Sequence, residues 1–147
     1  MNFSEINHYL RQVFQGHFRL SRRVSSPMVS IEGEASFSCC DKDVTLFQEK
    51  GEYLLNGKRQ SFYQERFFVL KSDCLLIQKQ DKSPLHTFFY QDMAQEMRDA
   101  FFHTHVCGQD IYNVTIKIFS EQTFSMDYNV ESPTDPYVVT SLYKKEN

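Results

Sequence analysis

Between Val29 and Ser38 apolar and polar side chains alternate without a break, Val29, Ile31, Gly33, Ala35 and Phe37 against Ser30, Glu32, Glu34, Ser36 and Ser38. A period of two places one set on each face of a strand, so this stretch must lie over an interior with its other face in water. The same period runs through residues 17–24 and returns in Val44–Leu55, Arg59–Leu70, Cys74–Gln80, Leu85–Tyr90, Ile111–Phe119, Phe124–Val130 and Tyr137–Tyr143. Turn chemistry separates these runs: Asn56-Gly57 is the strongest hairpin signal, joined by Ser72-Asp73, Asp81–Pro84, Glu121-Gln122 and Ser132–Pro136. About nine strands in one antiparallel meander would leave two edges unless the sheet closes, and closure removes them. The pattern therefore predicts a mainly β fold, a single antiparallel meander β-barrel occupying residues 1–147 as one domain.

Two segments depart from this period. Phe3, Ile6, Leu10, Val13 and Phe14 recur at helical spacing, with Asn2 or Ser4 as N-cap and Gly16 beyond the end, predicting an N-terminal helix within residues 1–15. Asp92 with Gln95 resembles a capping box ahead of a Met93, Met97, Ala100 and Phe101 stripe, predicting a short inserted helix over 91–102 that packs on the sheet or covers a barrel mouth. Gly33 and Ala35 narrow the apolar face of their strand and leave room for a neighbour, a bend or a ligand.

Fourteen Phe and eight Tyr, with no Trp, reinforce the β assignment. The net charge of -3 offers no general attraction to nucleic acid or acidic lipid. Arg19, Arg22 and Arg23 would divide between two strand faces, so they form no phosphate-binding patch. Cys39, Cys40, Cys74 and Cys107 contain no CxxC pair, and adjacent Cys39 and Cys40 point to opposite faces, which disfavours a bridge. With no signal-peptide pattern at Met1–His8 and no apolar run near the ~20 residues of a membrane span, a cytoplasmic protein with reduced thiols is expected.

The densest chemistry lies in residues 103–112. On a strand, His103, His105 and Cys107 share one face, and Asp110 and Tyr112 lie two apart beyond Gly108. The inward faces carry polar residues too. Arg22 follows Phe18 and Leu20, Glu49 follows Phe47, and Asp110 and Tyr112 precede Val114, Ile116 and Ile118. A buried arginine requires a carboxylate, for which Glu49 and Asp110 are the candidates, with a tyrosine hydroxyl completing the pair.

Several of these residues resemble a known family. Gly16-His-Phe18-Arg-Leu20-Ser-Arg22, Gly33-Glu-Ala35-Ser-Phe37, Phe47-Gln-Glu49-Lys-Gly51, Leu85-His86 and the block His105-Val-Cys107-Gly-Gln-Asp110-Ile-Tyr112 together are similar to an uncharacterised domain-of-unknown-function family of bacteria and fungi with an H-x-C-x-x-D-x-Y motif. The resemblance extends over roughly Gly16 to Lys145. This chain carries Phe18 and Phe124 where that family usually has Trp, and Ser132 and Asp135 where its late motif has Gly and Lys. The resemblance implies a lipocalin- or calycin-like barrel and no established activity.

These readings converge on a barrel that binds a small hydrophobic or amphipathic molecule, with Arg22, Glu49, His105, Asp110 and Tyr112 at its polar end. An alternative is a barrel enzyme performing acid–base chemistry with Asp110, Tyr112 and Glu49. A third is a homodimeric interaction domain with a filled interior. No metal site and no cofactor are expected. His103, His105 and Cys107 are chemically suited to zinc, but no second ligand pair accompanies them, and no motif selects among His86, His103 and His105 as a haem ligand. The expected partner is a small molecule, rather than nucleic acid or a membrane.

Overall fold

Helix formation starts at Asn2, whose side chain accepts from the Glu5 backbone N–H at 2.8 Å while the Glu5 carboxylate receives the Asn2 N–H. This reciprocal capping box satisfies two of the donors a helix start leaves free. Helix α1 (Phe3–Val13) follows and buries Ile6, Leu10 and Val13. The computed structural model describes residues 2–26, 28–92 and 100–146. Ten strands come after α1: β1 (Gly16–Ser25), β2 (Met28–Asp41), β3 (Val44–Leu55), β4 (Lys58–Leu70), β5 (Cys74–Gln78), β6 (Pro84–Phe89), β7 (Ala100–Cys107), β8 (Asp110–Ser120), β9 (Thr123–Glu131) and β10 (Tyr137–Lys145).

They form one antiparallel sheet in the order β6-β5-β4-β3-β2-β1-β10-β9-β8-β7. The first and last strands pair, from Phe18 against Lys145 to Val24 against Val139, so the meander curls into a nearly closed barrel. Its two edges, β6 and β7, meet through side chains. The His86 and His103 rings lie 5.4 Å apart, and Phe88 and His103 5.9 Å. This seam shields both edges from pairing with another chain.

The strand pattern follows the sequence closely, with one correction. A helix was expected over residues 91–102, but Tyr90–Asp92 form a single 3-10 turn and Ala100–Phe102 open strand β7. The methionine stripe and Gln95 lie outside the described residues. Ala100 and Phe101 fit a helical stripe as well as a strand. Pairing of Phe101 with Ile116 and burial of both rows decide for the strand.

Local backbone chemistry sets the register at the hairpins. Asn56 and Gly57 both adopt positive φ (53° and 76°), the requirement of a type I′ turn between β3 and β4. Gly108, at φ 63°, turns β7 into β8, so Cys107 faces Asp110. Gly33 and Gly51 are cross-strand partners for a different reason. A Cβ on Gly33 would lie 2.1 Å from the Lys50 carbonyl oxygen, and one on Gly51 would lie 2.6 Å from Phe62. The room predicted at Gly33 is filled by a neighbouring backbone.

A ten-stranded barrel has more interior than an eight-stranded one, and it must be filled or left open. At the end nearest α1 it is filled by rings. Phe14, just past the helix, contacts Phe37, Phe68 and Phe124 at centroid distances of 5.2–5.4 Å. Phe37 stacks on Phe47 at 4.6 Å, and Phe124 on Tyr143 at 4.5 Å. Burial of each ring stabilises the fold by about 1.5–3 kcal/mol, with edge-to-face geometry adding a fraction more. Polar ties hold the helix over this end: Asn7 Nδ2 donates to the Lys71 carbonyl (2.9 Å), Lys145 Nζ to the Gln12 carbonyl (3.1 Å), and Arg11 pairs with Asp43. α1 is a plug for one end of the barrel.

Candidate functional site

The ring-filled half ends at a layer of polar side chains. Strand β1 alternates Phe18, Leu20 and Arg22 inward, β3 does the same with Phe47 and Glu49, and β10 with Tyr143 and Ser141, so the pleat brings these groups to one level. Arg22 Nη2 donates to Glu49 Oε2 at 2.6 Å and to the Tyr143 hydroxyl at 3.0 Å, and Arg22 Nε donates to Ser141 Oγ at 2.7 Å. The Tyr143 hydroxyl donates to the same Glu49 oxygen, and Gln64 Nε2 donates to the other at 2.8 Å. Glu49 is 1 % exposed and both its oxygens are engaged. Burial works against the charged form of Arg22, but Tyr143 and Glu49 outweigh it and the guanidinium is held above its ordinary pKa. Burial, then Glu49, pushes the Tyr143 phenol well up, so it remains a donor.

Above this floor, toward the end away from α1, lies a cavity of about 470 Å³. Val24, Leu85, Val139, Tyr112, Tyr128 and Tyr137 supply most of its wall, with Arg22, Gln64, Arg66, His86, His105 and Cys107 as the polar or reactive members. His105 and Cys107 are exposed and form its rim. A larger concavity, about 910 Å³, lies along β2–β4 around Gly33 and Gly51. Its charged groups Glu32, Glu34, Lys50, Glu52 and Arg59 are exposed, with Lys50–Glu34 and Arg59–Glu52 at 3.9 and 3.6 Å. Those charges are already solvated, so the barrel cavity is the better candidate.

Two features of the cavity are energetically unusual. His86 is 4 % exposed; its Nε2 is hydrogen-bonded to the Tyr128 hydroxyl at 2.9 Å, and its Nδ1 is buried without a partner among the described residues. Burial, with His103, His105 and Arg66 adding to it, lowers its pKa to about 3, so the ring is neutral at pH 7. Tyr128 is raised to about 12 by burial. Arg66 faces inward beside Phe47, donates from Nη1 to the Glu65 carbonyl at 2.8 Å, and makes no ion pair among the described residues.

The structure unites Arg22 and Glu49 in the floor and places His105 and Tyr112 in the wall, where their rings lie 6.2 Å apart. Asp110 differs from expectation. It stands on the β7–β8 hairpin outside the cavity lining, and Glu49 is the carboxylate that meets Arg22. The completing hydroxyl is that of Tyr143, because β10 rather than β8 neighbours β1. His103 lies at the β6–β7 seam, reaching the Thr87 backbone, and burial lowers its pKa. Among the described residues no group of three or more His, Cys, Asp and Glu is arranged to hold a metal ion. Cys39, Cys40, Cys74 and Cys107 are all free. Gln64, Arg66 and Tyr128 escaped the sequence reading, although the alternation Phe62, Gln64, Arg66, Phe68 along β4 contains the signal for the first two.

Residues 14–145 match the profile of the family of unknown function DUF6314, and the chain belongs to that family. No curated protein matches it by sequence. Among solved structures, the S-type phycobiliprotein lyase CPES from Guillardia theta is similar over 100 % of this chain and 94 % of its own, with a TM-score of 0.68 and 8 % identity. EF1p2_mFAP2b bound to DFHBI is similar over 92 % of this chain and 96 % of its own, with a TM-score of 0.53 and 10 % identity. A de novo designed fluorescence-activating β-barrel has a TM-score of 0.50 and 11 % identity over 92 % of this chain and 95 % of its own. At such identities the likeness is one of fold. No helix among the described residues is long and apolar enough to cross a membrane.

Proposed function

Taking membership of that family and the barrel fold as premises, we propose that the protein binds a small amphipathic molecule in the cavity above the Arg22–Glu49 floor. The observation that carries this reading is His86. A buried ring nitrogen without a partner costs roughly 1–3 kcal/mol, and a polar group on a bound molecule would offset it. The surrounding wall suits such a ligand, since aliphatic and tyrosyl surfaces take its apolar body while a few fixed polar groups orient it. Two barrels of the same fold also support it, one solved bound to DFHBI and one a lyase.

Glu49 is spoken for by Arg22, Tyr143 and Gln64, so its role is to hold the floor rather than to move protons. The ligand-binding reading extends to a cytoplasmic setting, in keeping with four free cysteines.

Dansylamide, a neutral dye that brightens in apolar sites, tests the reading. It is expected to titrate saturably at one site per chain, and Val139→Trp, which fills the cavity from its wall, is expected to abolish the signal. Emission that never saturates, or that is unchanged in a folded Val139→Trp variant, removes the cavity from consideration.

A further inference from the structure

We infer that the ligand of this cavity is a monoanion, a small and largely apolar carboxylate whose charged group is received by Arg66. The inference rests on the ligand-binding reading and adds the charge and its receptor. It follows from counting the charges turned into the barrel. Arg22 and Arg66 both line the cavity, yet among the described residues Glu49 is the one carboxylate joined to either, and both its oxygens are engaged in the floor.

Arg22 is thereby compensated and Arg66 is not. Among the described residues no Asp or Glu belongs to the cavity lining, and Asp110 stands outside it. Three of the remaining titratable wall groups add no charge, and His105 and Cys107 stand exposed at the rim. His86 is neutral at pH 7, and Tyr128 and Tyr137 are both pushed up by burial and so uncharged. Among the described residues, Arg66 is therefore the arginine of the cavity lining without a carboxylate partner.

An arginine in a part-buried wall whose one hydrogen bond among the described residues goes to a backbone carbonyl has lost hydration without gaining a carboxylate. Its planar fork is matched by a carboxylate, which it can hold through two parallel hydrogen bonds. Arg22 adds a further donor, because its Nε and Nη2 are used in the floor while Nη1 has no acceptor among the described residues. A dianion would exceed the single uncompensated charge, and a cation would meet Arg66 as a like charge. A neutral ligand would leave Arg66 as it is.

Dansylglycine and dansylamide share one fluorophore and differ chiefly in a carboxylate, so the pair isolates the charge. Titrated against the whole protein at pH 7, dansylglycine is expected to bind at least about tenfold more tightly than dansylamide, the scale of one charge-assisted hydrogen bond. Arg66→Gln should erase that preference, read as the ratio of the two dyes' affinities within the variant, and saturable dansylamide binding by the variant reports that the cavity is intact. Arg66→Lys, which keeps the charge but not the fork, should retain part of the preference and serves as the deciding variant if Arg66→Gln does not fold. Equal affinities of the two dyes for the wild type, a preference that survives Arg66→Gln, or no preference in a folded Arg66→Lys would overturn the assignment to Arg66 while leaving a ligand-binding cavity. Failure of both dyes to bind the wild type would overturn the ligand-binding reading and this inference with it.

Discussion

Removing the charge of Glu49 probes the layer on which the cavity stands. In Glu49→Gln the shape is kept and the amide oxygen can still accept from Arg22 and Tyr143, while Gln64 can turn its own oxygen toward the new NH2 group. What is lost is compensation of Arg22, whose side chain is only 14 % exposed beside a carboxylate that is 1 % exposed. Breaking one side of a buried pair costs about 3–5 kcal/mol, and because Arg22 borders the cavity the loss should fall near the lower end, about 3 kcal/mol. Arg22→Met strands the more deeply buried partner and should cost about 4 kcal/mol on the same scale. Replacing the group, Arg22→Met with Glu49→Leu and Tyr143→Phe, leaves no buried ion and only the Ser141 hydroxyl without its partner, so it should lie within about 1–3 kcal/mol of the wild type, well short of the single variants summed. Urea unfolding followed by circular dichroism measures all of these, and each 3 kcal/mol appears as a midpoint shift of roughly 1–3 M. If the triple variant loses about as much as the single variants summed, the layer is not an interdependent ion-pair network and the reasoning fails.

Acid should weaken the fold through the histidines of the wall and seam. The folded pKa of His86, about 3, lies below its ordinary 6.5 because burial disfavours the charged ring, and His103 is shifted in the same direction. As pH falls the unfolded chain takes up these protons first, so stability is full above about pH 6.5 and declines toward pH 3, at roughly 1.4 kcal/mol per pH unit for His86 alone. Comparing urea midpoints at pH 7 and pH 5, His86→Gln should show a shallower decline than the wild type, and an unchanged decline would refute the assignment. Gly33→Ala should destabilise by about 1–3 kcal/mol, since its new Cβ meets the backbone of Lys50 and Gly51 rather than a side chain that can swing away. A midpoint equal to that of the wild type would show that the β2–β3 pair tolerates separation there.

Most of the fold was legible because its signals are local. Alternation at period two, Asn56-Gly57 and the apolar stripe of α1 each specify a conformation within a few residues, and strand β3 begins and ends where the sequence places it, at Val44 and Leu55. The same alternation turned Arg22 and Glu49 inward and required that an arginine so placed find a carboxylate. Which carboxylate and which tyrosine could not be read that way, because partners inside a barrel are set by strand order and stagger. Closure of β1 on β10 brings Tyr143 and Ser141 to Arg22, although they lie 121 and 119 residues away along the chain. The start of strand β7 was hidden for a related reason: Ala100 and Phe101 satisfy a helical and an extended pattern equally, and only pairing with β8 distinguishes them. That Arg66 meets no carboxylate and His86 Nδ1 no partner among the described residues are tertiary facts of the same kind. Sequence determines which residues face the interior, and the closed sheet decides which of them meet there and which are left for a ligand.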